Sequence, residues 1–332
     1  MGNKKKALLQ EDGQCLVCER RCLIKKDETG HCKTRINEDG IIYTLNYGNI
    51  SSISINPIEK KPIFHFYPGS RALTVGFWSC NFNCPWCQNY DITKTEPHSN
   101  EYLSPEKFVK IALANSCPGI SLSFNEPTIF LEWGIEALQI AKTKGLYNTI
   151  VSNGYMTEQA LEIFLAPGLD AANVDIKGDK EAVQRYCGID VDNVWRNCKI
   201  MKKRNVHLEI TTLVIPTVND NLTILSGIGK TILNELGNAT PWHLTRYFPA
   251  YKFSEPPTSI KFLEDAYGSA KELGLKFVYL GNILEHKYEN TYCPECNKLL
   301  IKRSGLASIN IKINNNLTCP HCNIDLKNYF II

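Results

Sequence analysis

Short apolar segments alternate with segments of helical period through the middle of the chain. Residues 71–77 (RALTVGF) have the composition of a strand. Ser104 is followed by Pro105, the signature of a capped helix start with proline in the first turn. Further strands are predicted at 119–124, 148–154, 169–177, 207–216, 242–248 and 276–282, and further helices at 129–145, 158–166, 193–205, 224–237 and 259–274.

This alternation predicts an α/β fold. Strands that alternate with helices of roughly 10 to 17 residues form right-handed βαβ units around a parallel sheet. Six or seven such units fit a partial (β/α)6 barrel, in which polar residues at the carboxyl ends of the strands face the active-site mouth. A chain of 332 residues that is 43% hydrophobic can bury a core of this size.

Two groups of four cysteines flank the predicted barrel. The first has the spacing C-x2-C-x3-C-x9-C in a polar segment that is too small to fold by burial alone, and the last has two C-x2-C pairs. We therefore predict a metal-binding segment at 1–55, the barrel at 56–288 and a small metal-binding module at 289–332. The cysteines are Cys15, Cys18, Cys22 and Cys32 in the first group and Cys293, Cys296, Cys319 and Cys322 in the last.

The tight grouping of these cysteines indicates metal binding rather than disulfides. Disulfide frameworks belong to short secreted chains without a large core, whereas eleven of the 14 cysteines here fall into three groups. The last group has the paired knuckles of a zinc ribbon, and a rubredoxin-like iron site uses similar knuckles. The first group fits either structural zinc or an auxiliary iron–sulfur cluster. We expect zinc in one or both of these modules.

Charge and hydropathy restrict the cellular context. The net charge of +3 is too small to indicate a nucleic-acid partner, and the lysines at 4–6 read as a solvated tail. No run of about 18 apolar residues occurs, and no apolar signal segment follows the N-terminal lysines. We therefore expect a cytoplasmic protein that does not enter the membrane.

The middle cysteine group lies directly after the predicted strand at 71–77. Cys80, Cys84 and Cys87 have the spacing C-x3-C-x2-C, and the nearest histidine is His98. A structural zinc site normally needs four ligands, and this group offers three. Three thiolates suit a [4Fe-4S] cluster that keeps one iron open for a small molecule. The spacing therefore favours a reactive site over a structural metal.

This spacing resembles the radical S-adenosylmethionine (SAM) superfamily, whose signature is C-x3-C-x-aromatic-C. The resemblance implies that the three cysteines bind the cluster and that Trp86 lies against the SAM adenine. Residues 124–128 (FNEPT) resemble the Gly-Gly-Glu motif that binds the SAM amino group, and 151–154 (VSNG), 174–178 (VDIKG) and 213–220 (LVIPTVND) resemble later strand ends of glycyl-radical activases. The SAM-binding residues implied in this way are Trp86, Asn125, Glu126, Ser152, Asn153, Asp175 and Lys177.

One position departs from the activase pattern. Activases of the pyruvate formate-lyase type carry an Asp before the Thr-Asn-Gly of the third strand, where it helps to hold a cation. This chain has Val151 at that position. A complete cation site is therefore not expected, although Asp175 can still contribute to one.

A closer resemblance covers nearly the whole chain. The N-terminal cysteines, residues 56–70 (NPIEKKPIFHFYPGS), 241–252 (PWHLTRYFPAYK) and 281–296 (GNILEHKYENTYCPEC) are similar to the radical SAM member of the AmmeMemoRadiSam set. The name of that family reflects its association with AMMECR-type and Memo-like proteins. The resemblance therefore implies such proteins as partners.

The resemblance also implies a radical SAM enzyme. A [4Fe-4S] cluster would cleave SAM reductively to a 5'-deoxyadenosyl radical, which abstracts hydrogen from a substrate. A protein or peptide substrate is expected because the core most resembles glycyl-radical activases, and a low-potential donor such as flavodoxin or ferredoxin would supply the electron. Two alternatives stay open: radical SAM modification of RNA or a small metabolite, and a non-enzymatic metal-rich adaptor or nucleic-acid-binding protein.

Three further residues are candidates for catalytic roles. Cys187, His243 and Arg246 lie beyond or near the ends of predicted strands, where the substrate is expected. A packing role is the alternative for Cys187, and a hydrogen-bonded strand residue is the alternative for His243. Cys117 and Cys198 are predicted to be core residues.

Overall fold

The computed structural model describes residues 4–97, 102–284, 286–305 and 308–332, so that His98 lies outside the described residues. The N-terminal segment consists of short antiparallel strands. These are β1 (Lys5–Lys6), β2 (Gln10–Glu11), β3 (Gln14–Cys15), β4 (Arg35–Glu38) and β5 (Ile41–Thr44). β5 pairs with both β1 and β4, and β2 pairs with β3.

An eight-stranded sheet forms the centre of the molecule. Its strands are β6 (Ile50–Pro57), β7 (Arg71–Phe77), β8 (Gly119–Leu122), β9 (Tyr147–Ser152), β10 (Ala171–Asp175), β11 (His207–Val214), β12 (Trp242–Arg246) and β13 (Val278–Gly281). Their order in space follows their order in the chain. β6 runs antiparallel to β7, and the strands from β7 to β13 are parallel. Such a sheet is built from crossovers of one hand and curls into an open barrel.

Helices connect the parallel strands. They are α1 (Tyr90–Thr93), α2 (Pro105–Ala114), α3 (Leu131–Thr143), α4 (Glu158–Leu165), α5 (Lys180–Cys187), α6 (Val191–Lys203), α7 (Leu222–Thr231) and α8 (Ile260–Glu272). Ser104 and Thr157 cap α2 and α4 as predicted, accepting hydrogen bonds from the backbone N–H groups of Lys107 and Ala160. None of the helices in the described ranges is both long and apolar enough to cross a bilayer.

These elements confirm the predicted α/β class and the partial barrel. Six strand–helix units run from β7 to α8, and β13 adds a seventh parallel strand. In the barrel, β6, α1 and α5 were not predicted, and neither were the short strands β1 to β5 of the N-terminal segment. β6 is an edge strand with the mixed sequence ISSISINP, and α5 has only eight residues, too few to show a clear helical period.

The main core lies between the helices and the sheet. Trp133 of α3 is fully buried, with its ring centroid 5.0 Å from that of Phe77 and 5.3 Å from that of Phe108. All four residues of β8 (GISL) are buried. A parallel strand is buried on both faces when helices cover one face and the barrel interior the other. This packing fixes the positions of the strand ends.

A separate three-stranded antiparallel sheet carries the last cysteine group. Its strands are β14 (Thr291–Tyr292), β15 (Leu299–Ser304) and β16 (Ser308–Ile311), in that order. Arg303 of β15 is 1% exposed and reaches the barrel, where its guanidinium lies 4.2 Å from the Phe64 ring centroid and donates to the Phe64 carbonyl oxygen at 2.8 Å. His65 Nδ1 lies 2.9 Å from the carbonyl oxygen of Tyr329. The C-terminal sheet is therefore fastened to the segment that precedes β7.

Candidate active site

The carboxyl ends of the parallel strands surround a cavity of about 620 Å³. Residues 59–64 reach it from the opposite end of the strands, because β6 is antiparallel to β7. We call residues 59–64 the floor segment. Predicted site residues that line the cavity are Cys80, Cys84, Trp86, Cys87, Asn125, Glu126, Ser152, Asn153, Asp175, Lys177 and His243.

Buried contacts hold the loop that follows β7 and carries the three cysteines. Trp86 is 3% exposed, and its ring centroid lies 5.4 Å from that of Tyr186 and 5.6 Å from that of Phe253. Asn81 is fully buried, and its Oδ1 accepts a hydrogen bond from Asn153 Nδ2 at 2.8 Å. The cysteine loop is thereby joined to the end of β9.

The N-terminal segment also supports this loop. Arg20 donates hydrogen bonds to the carbonyl oxygens of Asn81 and Cys187, at 2.5 and 2.9 Å. Ser79 Oγ donates to the carbonyl oxygen of Cys32 at 2.6 Å. The first and middle cysteine groups are therefore connected by direct hydrogen bonds.

Two thiols of the middle group have polar side chains beside them. Cys87 Sγ lies 3.1 Å from Thr93 Oγ1, and Cys84 Sγ lies 3.5 Å from Cys187 Sγ. The hydrogen bond from Cys187 lowers the pKa of Cys84 against its burial, and the charge of Lys177 lowers it further. A lowered pKa favours the thiolate, which is the form that binds metals. Cys187 is buried and contacts the cysteine loop rather than the cavity.

Glu126 is the buried carboxylate at the end of β8. Its Oε1 accepts hydrogen bonds from Thr128 Oγ1 at 2.5 Å and from Ser152 Oγ at 2.7 Å, and its Oε2 accepts one from the Asn153 N–H at 2.7 Å. Burial raises the pKa of Glu126, and these hydrogen bonds oppose the rise. The carboxylate therefore ties the ends of β8 and β9 together beside the cysteines.

The two residues before Glu126 have structural constraints of their own. Both ends of the Asn125 amide are occupied, since Oδ1 accepts from the Phe77 N–H and Nδ2 donates to the Ser79 carbonyl oxygen, each at 2.9 Å. Phe124 has φ of 68°, a left-handed conformation that is strained for a residue with a side chain. This strain explains why glycine is suited to the same place in the Gly-Gly-Glu motif.

An ion pair lies at the end of β10. Lys177 Nζ is 3.3 Å from Asp175 Oδ2. Burial opposes the charge of Lys177, but Asp175 and then the Cys84 thiol raise its pKa overall. Lys177 is therefore a fixed positive charge beside the cysteine loop.

Glu209 and His243 lie on neighbouring strands in the barrel interior. Glu209 Oε1 accepts from the backbone N–H groups of Phe64 and His65 at 2.8 and 2.7 Å, and Oε2 lies 2.6 Å from His243 Nε2. Burial alone would raise the pKa of Glu209, but hydrogen bonds from His207 and His243 hold it well below its usual range. The carboxylate orients His243 and anchors the floor segment.

Arg246 is the one catalytic candidate from β12 that faces away from the cavity. Its Nε donates to the Thr258 carbonyl oxygen at 2.8 Å, and its guanidinium lies 5.0 Å from the Phe248 ring centroid. Side chains alternate between the two faces of a strand, so Arg246 and His243 point in opposite directions. Their strand-end positions predicted that both residues face the substrate, but only His243 lines the cavity.

Two charged residues of the barrel interior were missed in the sequence. Glu209 is fully buried, and the signal for it was a carboxylate at an alternating position of a strand expected to be buried. Lys61 is 3% exposed, with its Nζ 4.7 Å from the Phe124 ring centroid. The sequence does contain one indication that Lys61 is buried, since it is followed directly by the apolar residues 62–66 (PIFHF).

The sulfur atoms of the last cysteine group are compactly arranged. The ligand atoms of Cys293, Cys296, Cys319 and Cys322 all lie within 4.8 Å of one another. The separation is 3.7 Å for Cys293 and Cys322 and 3.8 Å for Cys296 and Cys319. Four sulfurs bound tetrahedrally at about 2.3 Å are about 3.8 Å apart, so the spacing fits a single ion.

The other two cysteine groups are more widely spaced. Among the described residues, neither brings three ligand atoms within 4.8 Å of one another. This spacing of Cys80, Cys84 and Cys87 fits a polynuclear cluster, in which each thiolate binds a different iron. In the first group, burial raises the pKa of Cys15 to about 11 against the charge of Arg35, and neighbouring thiols add to the rise.

Known proteins share both the sequence and the fold of this region. A model of the Radical SAM superfamily matches residues 79–223. Uncharacterized protein MJ0808 of Methanocaldococcus jannaschii is 41% identical over 293 residues, which cover 87% of this chain and 87% of that protein. The (2S)-3-sulfopropanediol dehydratase activating enzyme of Klebsiella oxytoca is 30% identical over 122 residues, which cover 36% of this chain and 38% of that enzyme.

SuiB of Streptococcus suis is a solved structure with a similar fold. Its structure bound to S-adenosylmethionine has a TM-score of 0.52 and 11% identity, covering 65% of this chain and 52% of SuiB. Its structure bound to the precursor peptide SuiA has a TM-score of 0.52 and 12% identity, covering 69% of this chain and 52% of SuiB. Given the partial barrel, the three-cysteine loop and these matches, the chain belongs to the radical SAM superfamily of enzymes.

Proposed function

We propose that this enzyme binds a [4Fe-4S] cluster through Cys80, Cys84 and Cys87 and uses it to cleave SAM, so that hydrogen is abstracted from a protein or peptide substrate. Membership of the superfamily implies both cofactors. The observation that carries the proposal is the meeting of three widely spaced free thiols with Glu126 and Lys177 around one cavity.

The residues around the cavity have distinct parts in this proposal. The cluster, when bound, supplies the electron that breaks the sulfonium bond of SAM and releases the 5'-deoxyadenosyl radical. The Glu126 carboxylate accepts a charge-assisted hydrogen bond that the SAM amino group donates. Trp86 supports the adenine, and Lys177 supplies a positive charge beside the thiolates. The surrounding strand ends orient the reactants and exclude water from the radical.

Two relatives support a protein or peptide substrate. One is named as an activating enzyme for (2S)-3-sulfopropanediol dehydratase, and the other is a structure of SuiB with a precursor peptide. Because the sequence is similar to the AmmeMemoRadiSam set, we propose AMMECR-type and Memo-like proteins as partners. We also propose a flavodoxin or ferredoxin as the electron donor. The cavity of about 620 Å³ is within the size range of small-molecule and cofactor sites.

The flanking cysteine groups are proposed to hold separate metals, with boundaries at residues 55 and 288. A single zinc ion suits the C-terminal group because its sulfur separations of 3.7 and 3.8 Å fit a tetrahedral site. The N-terminal group is proposed to hold zinc or an auxiliary cluster.

Anaerobic reconstitution tests the cluster and the SAM chemistry. We expect the variant Cys80→Ala, Cys84→Ala, Cys87→Ala to hold about four fewer irons than the wild type. It should also release no 5'-deoxyadenosine from SAM after reduction with dithionite. Cys117→Ala removes a buried thiol that does not line the cavity, and it is the matched control. The proposal would be overturned if the triple variant cleaved SAM at the rate of the wild type.

A hydrogen-transfer experiment separates the substrate classes. Lysate from cells grown on deuterated medium is divided into protein, RNA and small-molecule fractions, and each is offered to the reduced enzyme with unlabelled SAM. We expect deuterium in 5'-deoxyadenosine only with the protein fraction. Deuterium that comes only from the RNA or small-molecule fraction supports the corresponding alternative and contradicts a protein substrate.

A further inference from the structure

A positive charge without an acidic partner lies in the floor segment. Lys61 follows the 3-10 helix Ile58–Lys60 and is 3% exposed. Its ammonium lies 4.7 Å from the Phe124 ring centroid, a distance typical of a cation–π contact. Within the described part of the chain, no carboxylate oxygen approaches Lys61 Nζ to within 4.0 Å. By contrast, Lys177 in the same cavity has Asp175 at 3.3 Å.

The carboxylates near Lys61 have other partners. Glu126 accepts hydrogen bonds from three neighbouring residues, and Glu209 is bound by His243 and by the floor backbone. Glu59 Oε1 accepts from the Gly69 N–H at 2.8 Å. Glu59 Oε2 is buried without a hydrogen-bond partner, but it too lies more than 4.0 Å from Lys61 Nζ. None of these contacts is made to Lys61, so its charge is left for a bound molecule.

The backbone around Lys61 is fixed in the barrel. The Pro62 carbonyl oxygen accepts a hydrogen bond from Asn173 Nδ2 at 2.7 Å, and the Phe64 N–H donates to Glu209. A surface lysine usually extends its ammonium into water, but the backbone anchors of the floor segment keep this side chain inside. Burial, with a smaller contribution from the charge of Lys60, lowers the pKa of Lys61 to about 7. A buried charge of this kind costs free energy until an anion binds it.

We propose that Lys61 binds a carboxylate of the substrate, which a peptide presents as its C-terminus or as an Asp or Glu side chain. This inference rests on the proposed function, since it places a peptide in the same cavity. The cavity lining is balanced in formal charge, with lysines at 60, 61, 94 and 177 and acidic residues at 59, 126, 175 and 289. Lys61 is the buried lysine of this set, so the site offers one desolvated positive charge to one negative charge. A phosphate dianion would keep a second negative charge without a buried cationic partner.

The position of Lys61 assigns the carboxylate to the substrate rather than to SAM. Cys80 and Glu126 lie at the carboxyl ends of β7 and β8, whereas Lys61 enters from the other end of the strands. Its ammonium extends from the floor up to the ring of Phe124 at the end of β8. Because Lys61 enters from the floor segment rather than from the strand ends that we propose to bind SAM, we assign the carboxylate held beside Phe124 to the substrate.

Chemical footprinting of the reconstituted full-length enzyme tests this assignment. Acetic anhydride acylates lysines at pH 7.5, and the rate at each lysine is read by mass spectrometry. The probes are N-acetyl-diglycine and its C-terminal amide, which differ in the carboxylate. At about ten times its dissociation constant, the acid should slow acylation of Lys61 about tenfold. The amide should have no effect, and Lys202, exposed on α6 and outside the cavity, should be unaffected by either probe.

SAM and inorganic phosphate are the discriminating probes. Equal protection of Lys61 by the acid and the amide, or by neither, overturns the proposal. Protection by SAM alone, with no added effect of the acid, assigns Lys61 to SAM and also overturns it. Protection by phosphate but not by the acid contradicts the carboxylate assignment.

Variants and an activity measurement on the same preparation complete the test. The acid should raise the melting temperature of the wild type and of Lys61→Arg, but not that of Lys61→Met; a rise in Lys61→Met contradicts the proposal. Wild-type protein that shows acid protection but no SAM cleavage refutes the proposed function alone. Wild-type protein that cleaves SAM without acid protection refutes only the role of Lys61.

Discussion

At the scale of single residues, Lys61 shows how a binding group can reduce the stability of the free protein. Its pKa falls from 10.5 to about 7 on folding because the ammonium is buried. Between these two values the unfolded chain binds one more proton than the folded chain at this site. The contribution of Lys61 to the stability of the ligand-free protein should therefore become more favourable as the pH rises through this window.

Because of this linkage, removing the charge of Lys61 should increase the free energy of unfolding by an amount that depends on pH. Lys61→Met should stabilise the free protein by a few kcal/mol at pH 6, where the folded lysine must carry its proton, and by less at pH 9, where it is neutral. Urea unfolding at the two pH values measures the difference, with Lys202→Met as control. A gain that is equal at both values, or larger at pH 9, contradicts the prediction.

The candidate site was predictable wherever residues follow one another in a motif. Cys80, Cys84 and Cys87 were evident from spacing alone, and Glu126 from its strand-end motif. Glu209 and Lys61 were missed because their significance arises from contacts with residues far away in the sequence, such as Glu209 with Phe64, 145 residues apart. No local pattern reports a contact of that separation.

At the scale of elements, the N-terminal segment acts as a support for the cysteine loop. Arg20 reaches the loop at the Asn81 carbonyl oxygen and α5 at the Cys187 carbonyl oxygen. Hydrogen bonds from a charged donor contribute about 1.5 to 3 kcal/mol each. Arg20 therefore holds α5 against the loop that we propose to bind the cluster.

Removing this support should weaken retention of the cluster. We expect Arg20→Met to lose iron to a chelator several-fold faster than the wild type, because the loop can then move away from α5. Arg21→Met is a matched control, since Arg21 is exposed and pairs with Glu19 instead of the loop. Absorbance at the cluster band follows the loss. Equal rates for the two variants would show that Arg20 does not support the cluster.

Regular elements were predicted well where the hydrophobic pattern is strong. β7 was predicted with its observed bounds, and α2 and α4 begin after the predicted caps. β6 was missed because it lies at the sheet edge, where isoleucine and serine alternate without a continuous apolar run. α5 becomes helical by packing against its neighbours, with Ala182, Val183 and Cys187 buried.

At the scale of the whole molecule, the C-terminal sheet completes the underside of the cavity. Arg303 lies on Phe64, whose N–H binds Glu209, and Glu209 in turn orients His243. The arrangement of the last four cysteines therefore affects the proposed substrate site through one chain of contacts. Neither the sequence pattern nor the cysteine spacing could predict this docking, because it depends on surface complementarity between distant segments.

Loss of the C-terminal metal should therefore loosen the floor segment. In Cys296→Ser, Cys322→Ser we expect faster hydrogen exchange at the amides of Phe64 and His65, while amides in β8 are unchanged. Metal analysis of this variant and the wild type also identifies the ion, with zinc expected. Unchanged exchange at Phe64 and His65 after confirmed metal loss would show that the floor does not depend on this module.

The fastening of the floor segment also has a consequence for biosynthesis. Phe64 is held by Arg303 across 239 residues, and His65 by Tyr329 across 264 residues. These contacts cannot form until Arg303 and Tyr329 have left the ribosome. A nascent chain that already displays Cys80, Cys84 and Cys87 therefore lacks a closed chamber beneath them. The cavity is therefore closed from below only after every strand of the barrel has been synthesised.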